Sequence, residues 1–410
     1  KSIVKNIPFT NIGPSIMSGR VVDLAVNPNE PTEFYVAYAS GGLWYTNNNG
    51  TSFTPILDNS PTQNVGAVAV DWKTKTIWVG TGENNASRSS YAGIGILKST
   101  DQGKTWQNRG LYHSHHIGSI LINPNNSDEL IVGVIGHLYT PNTQRGIFKT
   151  IDGGKTWQKT LFINDKTGVI EIMASPNNFN IQYASAWQKD RKAWNFDGSG
   201  AGSGIYKSTD TGSTWAKISL DKSGFPVGEG VGRIGLAIVD DNTIYAIHDN
   251  QSHRKEDKKK DKKEGLSKDD FKAMTLESFL KLEDKKLGTY LKENNFPKKY
   301  SVEKVKEMAK SNKIIPADLA KFLENANAAL FDTPVIGAEI YISKNGGKSW
   351  QKTHKGFLDG LYYSYGYYFG KIHVDPSNKN QIYVYGVPLL SSEDGGKTFK
   401  SIDADNMHGD

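Results

Sequence analysis

Ser99–Trp106 reads STDQGKTW, and the chain repeats this octet with small changes. Thr46–Phe53 is TNNNGTSF, Thr150–Trp157 is TIDGGKTW and Ser208–Trp215 is STDTGSTW. Ser343–Trp350 is SKNGGKSW and Ser392–Phe399 is SEDGGKTF. An Asp or Asn at the third position can bond the backbone N–H groups of a tight turn, and Gly supplies a positive φ. The closing aromatic is a large apolar plug for a neighbouring sheet face. Nothing in the octet is reactive; it is a hairpin clasp. Its anchors are Asn48, Asp101, Asp152, Asp210, Asn345 and Asp394, spaced roughly fifty residues apart except between the fourth and fifth.

The earlier half of each unit also recurs. An apolar run precedes an Asn-, Asp- or Ser-Pro turn, as in VVDLAVNPNEP (Val21–Pro31), ILINPNN (Ile120–Asn126), IMASPNN (Ile172–Asn178) and IHVDPSN (Ile372–Asn378). A second β-rich run follows, then a Gly, a third strand, the clasp and a short fourth strand. Four short strands per unit with a turn fixed at one place predict the blades of an all-β propeller. Six blades are counted.

The 410 residues are better explained by one ring than by several domains. No run approaches the roughly 18 apolar residues of a membrane span, and no signal peptide is visible at KSIVKNIPF. Cysteine is absent, which excludes a disulfide scaffold or a thiolate metal site. The formal charge is +6, and the stretch 253–333, with 20 Lys/Arg against 15 Asp/Glu, carries five of those charges. That excess is mixed with acids rather than laid out on a basic reading face, so no nucleic-acid partner is expected.

The β pattern stops after Thr243–Asp249. His253–Gly265 is a charged low-complexity linker, and helical periodicity follows. Ser267 with Asp270 reads as a capping pair, Ser301 as an N-cap and Pro316 as a first-turn residue. Phe271, Phe279, Leu280, Leu287, Leu291, Val305, Met308, Leu319, Phe322 and Leu323 are candidates for a small core. The chain is therefore read as blades over 1–250, a linker and helical insertion over 251–333, and blades again over 334–410. The insertion is either a decoration on one face or a lid or docking element.

S-x-D-x-G-x-T-W resembles the Asp-box (BNR) repeat of sialidases, xyloglucanases and sortilin-type propellers. Together, SGRVVDLAVNP, SGGLWYTNNNG and an insertion ending NAALFDTPVIGAEIY resemble the sortilin-like exported proteins of Bacteroidetes. That resemblance implies a secreted, periplasmic or outer-membrane location. It also implies a ring that can reach ten blades, so a further chain or chain segment is expected to complete the propeller. Xyloglucanase-type propellers carry an acid two positions before a Gly-Gly pair, where this chain has Ala39. Sialidases pair an Arg triad with an Arg-Ile-Pro signature; Arg20 and Arg233 are present and the signature is not.

Glycoside hydrolysis needs two carboxylates about 5–10 Å apart. Asp23 and Glu171, in first strands nearest the axis, and Glu83, in the polar loop Gly82–Gly93, are the catalytic candidates. His113, His115 and His116 match no strong metal motif, so no metal and no cofactor are expected. Ala186–Phe196 interleaves Trp187 and Trp194 with Arg191, and Leu361–Gly370 contains Tyr363 and Tyr367. Such aromatics serve either recognition or inter-blade packing. With Arg20, Arg88 and Arg233 they form the candidate ligand-binding set. The reading is a non-catalytic propeller that binds a peptide, protein or glycan. The alternatives are a sialidase- or xyloglucanase-like glycoside hydrolase at the channel mouth, and a structural subunit of an outer-membrane assembly.

Overall fold

The structure is a computed structural model that describes residues 19–254, 265–294, 296–297, 299–322, 335–362, 365–404 and 407. It is a six-bladed β-propeller of four-stranded antiparallel sheets. Blade 1 is Val21–Val26, Phe34–Tyr38, Gly42–Thr46 and Thr54–Pro55. Blade 2 is Val65–Asp71, Thr76–Thr81, Ile96–Ser99 and Gln107–Asn108. Blade 3 is Ile117–Asn123, Asn126–Val134, Gly146–Thr150 and Gln158–Leu161. Blade 4 is Thr167–Ser175, Asn178–Gln188, Gly204–Ser208 and Ala216–Lys217. Blade 5 is Val231–Ile238, Ile244–His253, Val335–Ser343 and Gln351–Lys352, and blade 6 is Lys371–Asp375, Asn378–Tyr385, Leu389–Ser392 and Lys400–Ser401.

The clasps close the turn between the third and fourth strands. Asp101 accepts the Ser99 hydroxyl (2.8 Å) and the Thr105 N–H (2.9 Å) on Oδ1, and the Thr105 hydroxyl (2.6 Å) on Oδ2. Asp152, Asp210 and Asp394 repeat this pattern with Thr156, Thr214 and Thr398. The Asn versions pair with Ser instead: Asn48 donates to Ser52 Oγ (2.9 Å) and Asn345 to Ser349 Oγ (2.8 Å). In blades 2, 3 and 4 the closing Trp hydrogen-bonds back to the preceding blade. Trp106 Nε1 donates to Ile56 O (3.1 Å), Trp157 to Arg109 O (2.7 Å) and Trp215 to Thr160 Oγ1 (3.2 Å). One motif thus closes its own hairpin and ties it to its neighbour.

The hydroxyl and N–H bonds hold Asp101 at about 2, below the ordinary carboxylate value. Burial works against Asp210, but bonds from Thr214 and Ser208 hold it at about 2 as well. A carboxyl lowered by folding contributes stability above its unfolded value of about 3.9 and loses it as pH falls towards the folded value. Asp101→Ala is therefore expected to lower the melting temperature at pH 7, with the gap to wild type narrowing between pH 4 and pH 2. A gap independent of pH would contradict this role.

First strands pack in sequence round the ring, blade 1 on 2, 2 on 3, 3 on 4, 4 on 5 and 5 on 6. Each of these junctions holds an apolar core, for example Val22, Leu43, Val68 and Val79 between blades 1 and 2. Leu24 and Val26, on the face of blade 1 turned away from blade 2, are 54% and 47% exposed.

Residues 253–334 form a separate compact unit. It interrupts the connection between the second and third strands of blade 5, which are hydrogen-bonded neighbours. Its helices are α1 (Lys268–Ala273), α2 (Leu276–Leu280), α3 (Asp284–Glu293), α4 (Val302–Lys310) and α5 (Pro316–Phe322). Ser267 and Asp270 form a capping box, and Ser301 accepts from the Lys304 N–H. Phe271, Phe279, Leu287, Leu291, Val305 and Leu319 are buried, joined by Tyr290 and Ala309. Phe322 departs from the expected core: it is half exposed and stacks on Phe296 at 4.6 Å between ring centroids. Leu323 lies outside the described residues.

Candidate functional site

In a four-stranded blade the strand 2–3 loops and the connections to the next blade emerge on one face, opposite the clasps. The candidate site residues come from these loops and from the first strands below them. A β-bulge near the start of the first strand re-aims the residue that follows it. In blade 1 that residue is Asp23, in blade 3 Ser119 and in blade 4 Glu171. Each accepts a backbone N–H from the first strand of the next blade: Asp23 Oδ2 from Val68 (2.9 Å), Ser119 Oγ from Ile172 (3.2 Å) and Glu171 Oε2 from Leu236 (2.8 Å).

The remaining oxygens are occupied as well. Asp23 Oδ1 accepts the Leu24 N–H at 2.9 Å, and Glu171 Oε1 accepts Lys371 Nζ at 2.6 Å, from blade 4 to blade 6. Burial pushes the Asp23 carboxyl up against the pull of Lys371. Burial also opposes charge on Lys371, yet Glu171 and Asp23 outweigh it and hold the amine above its ordinary value.

Glu83 is fully buried. Arg20 Nε and Nη2 hold its two oxygens at 2.7 and 2.6 Å, and Asn85 Nδ2 adds a bond at 3.3 Å. Asn85 Oδ1 in turn accepts Arg233 Nη1 (2.6 Å), which also reaches the carbonyls of Tyr367 (2.8 Å) and Tyr368 (3.2 Å). Arg191 Nε donates to Ala86 O at 2.6 Å while its guanidinium lies 3.8 Å from the Phe196 ring centroid. Blades 1, 2, 4, 5 and 6 are joined through these bonds.

The structure therefore separates the expected ligand-binding set into two groups. Trp187, Arg191 and Arg233 are buried, and Trp187 packs with Ala86, Ile135 and Phe196. In the loop Gly82–Gly93, polar in sequence, the first half is buried because Glu83 and Asn85 serve the network just described, Asn84 bonds Gly66 O and Ala86 fills this cluster, while Arg88, Ser89, Tyr91 and Ala92 are exposed. Arg20 and Tyr367 are partly exposed, and Arg20 sits 5.5 Å from the Tyr368 ring centroid. Arg88 is exposed and Trp194 is 85% exposed; Tyr363 lies outside the described residues.

Sequence reading missed the open cleft between blades 2 and 3. It has a volume of about 340 Å³ and is lined by Arg88, Tyr91, His115, His137 and Tyr139, among others. His115 and His137 stack at 3.8 Å with an interplanar angle of 18°, and Tyr139 donates to Arg88 O at 3.0 Å. Burial, then the neighbouring His137, lowers the basicity of His115. His137, 22 residues beyond its stacking partner, carries no local motif to reveal the pair. Also unforeseen is Asp249, buried in the second strand of blade 5 and pushed up to about 7 by that burial. Both its oxygens accept from Gln251 Nε2. Among the described residues no group of three His, Asp or Glu side chains could hold a metal ion. No helix there is long and apolar enough to cross a membrane.

Comparison with known proteins places this architecture. A xyloglucanase from Paenibacillus sp is 26% identical over 271 residues, 59% of this chain and 25% of that protein. The chain thus spans about a quarter of the length of the curated relative it matches. The GH74 enzyme of Niastella koreensis superposes with a TM-score of 0.53 at 17% identity, covering 92% of this chain and 46% of that one. An ancestral GH74 enzyme superposes with a TM-score of 0.54 at 17% identity, covering 94% and 38%. These likenesses reflect the fold. The BNR/Asp-box repeat matches residues 341–352, the clasp of blade 5. The Sortilin-Vps10 family (sortilin, neurotensin receptor 3) matches residues 95–317. That span runs from the third strand of blade 2 into α5, more than half of the 410 residues, and the chain belongs to the Sortilin-Vps10 family.

Proposed function

We propose that this chain is a ligand-binding propeller without hydrolytic activity, working outside the cytoplasm, and that the cleft at Arg88, Tyr91, His115, His137 and Tyr139 receives a peptide or protein. The observation that carries this reading is the shared position of Asp23, Ser119 and Glu171. A hydroxyl in blade 3 does what the carboxylates do in blades 1 and 4, so the position calls for an acceptor of a neighbour's N–H rather than for acid–base chemistry. Glu83 is likewise committed on both oxygens. In the cleft, by contrast, the exposed Arg88 guanidinium and Tyr91 hydroxyl offer hydrogen bonds, and the rings of Tyr91 and Tyr139 offer stacking area, the Tyr139 hydroxyl alone being engaged, on Arg88 O.

A second reading is a glycoside hydrolase acting on a xyloglucan-like glucan, favoured by the 26% identity to the Paenibacillus xyloglucanase. The half-exposed face of blade 1 at Leu24 and Val26 further suggests cover by a segment outside the described residues or by another chain.

Peptide and glycan arrays probed with the wild-type chain and with Arg88→Ala/Tyr91→Ala test the main reading. Both side chains are exposed, so the variant is expected to keep its melting temperature and to lose at least tenfold in affinity for the peptides bound by wild type. Unchanged binding in the variant, or retention of glucans alone, would overturn it.

A further inference from the structure

Two cationic side chains are buried beside the cleft with unused donors. Lys189, just after the second strand of blade 4, is 1% exposed, and its Nζ has no partner among the described residues. Arg145, just before the third strand of blade 3, is also 1% exposed. Its Nη atoms bond the carbonyls of Lys166, His137 and Thr140, while its Nε has no partner. The two residues meet at one point: the Lys189 backbone N–H and Arg145 Nη1 both donate to Lys166 O, each at 3.2 Å. His137 and Thr140, which Arg145 holds, line the cleft.

The acids around them, Asp165 by Arg145 and Asp190, Asp197 and Glu229 along the second cleft that Lys189 lines, bond neither Lys189 Nζ nor Arg145 Nε. Asp190 is engaged by Lys166 and Lys192. His116, 2% exposed and bonded through Nδ1 to Glu83 O, is held at about 3 by burial and then by Lys189, so it is neutral near pH 7. The Trp187 ring, 5.9 Å from Lys189 Nζ, supplies an apolar wall. An unpaired buried donor costs free energy whether or not the amine is protonated, and burying two cations together costs more. One monovalent anion would satisfy both donors and offset one of the two charges.

We infer that a monovalent anion binds beside the cleft between Lys189 Nζ and Arg145 Nε. The chemistry fits a halide from solution or the carboxylate of a ligand seated in the cleft. It does not depend on the cleft being a peptide site.

Two measurements test it. Crystals of the wild-type chain grown in sodium bromide should show an anomalous peak in contact with Lys189 Nζ. In a buffer whose bulk electrolyte is a bulky sulfonate, substituting bromide at constant ionic strength should raise the melting temperature saturably. Lys189→Met, which keeps the side-chain volume, should be at least as stable as wild type in sulfonate and should not respond to bromide. Loss of the bromide peak when acetate is added assigns the site to carboxylates as well as halides, and its persistence assigns it to halides. A crystal without the peak, or an equal bromide response in both proteins, would overturn the inference. The crystal experiment needs no variant to fold.

Discussion

Lys371→Met is expected to lower the unfolding free energy by about 3 kcal/mol, the lower end of the range for breaking a buried pair. The lower end applies because the Lys371 side chain is 34% exposed, while that of Glu171 is 12% exposed. The variant strands Glu171, which has lost its 2.6 Å partner but must still accept the Leu236 N–H. It also removes the charge that opposes the burial of Asp23. Lys371→Met/Glu171→Gln should recover part of the loss, because no unpaired charge then remains. Urea denaturation of the two variants and wild type checks both statements. A Lys371→Met midpoint equal to that of wild type would mean that the contact between blades 4 and 6 contributes nothing to the ring.

Gly82→Ala should cost about 2–5 kcal/mol, combining left-handed backbone strain with overpacking. Gly82 has φ +84°, and a Cβ there would overlap the His115 carbonyl oxygen. That carbonyl cannot retreat easily, since it accepts the Gly93 N–H at 2.7 Å, and Gly82 itself donates to Asn64 O at 2.9 Å. The next residue is Glu83, so strain at Gly82 is expected to loosen the Arg20 ion pair and the His116 bond together. Thermal unfolding should fall sharply, and Arg20→Ala should cost less in the Gly82→Ala background than alone. Full additivity would show that the loop and the ion pair are independent.

Much of the fold was legible because its determinants are local. The Asp-box octet contains its own donors, acceptor, positive-φ Gly and plug, so each of the six turns could be found in the sequence and the blade counted from it. The capping pair Ser267–Asp270 was legible for the same reason. The candidate site was legible only in part. Asp23 and Glu171 announce themselves as acids in first strands, but nothing local reveals that a bulge aims them at the next blade's N–H, or that Lys371, 200 positions from Glu171, closes the bond. Arg233 and Trp187 have the composition of a recognition surface, and their burial depends on residues 100 or more positions away, such as Asn85. The His115–His137 stack likewise forms only when two loops of adjacent blades meet.

On the proposed function, Asp23, Glu83 and Glu171 hold the ring together and do not cleave glycosidic bonds. Incubating the wild-type chain with xyloglucan oligosaccharides and quantifying new reducing ends tests it most directly, with Glu83→Gln and Glu171→Gln measured alongside. The account predicts no release above heat-treated protein, and reduced melting temperatures for both variants. Release by wild type that disappears in a variant retaining its wild-type melting temperature would contradict it.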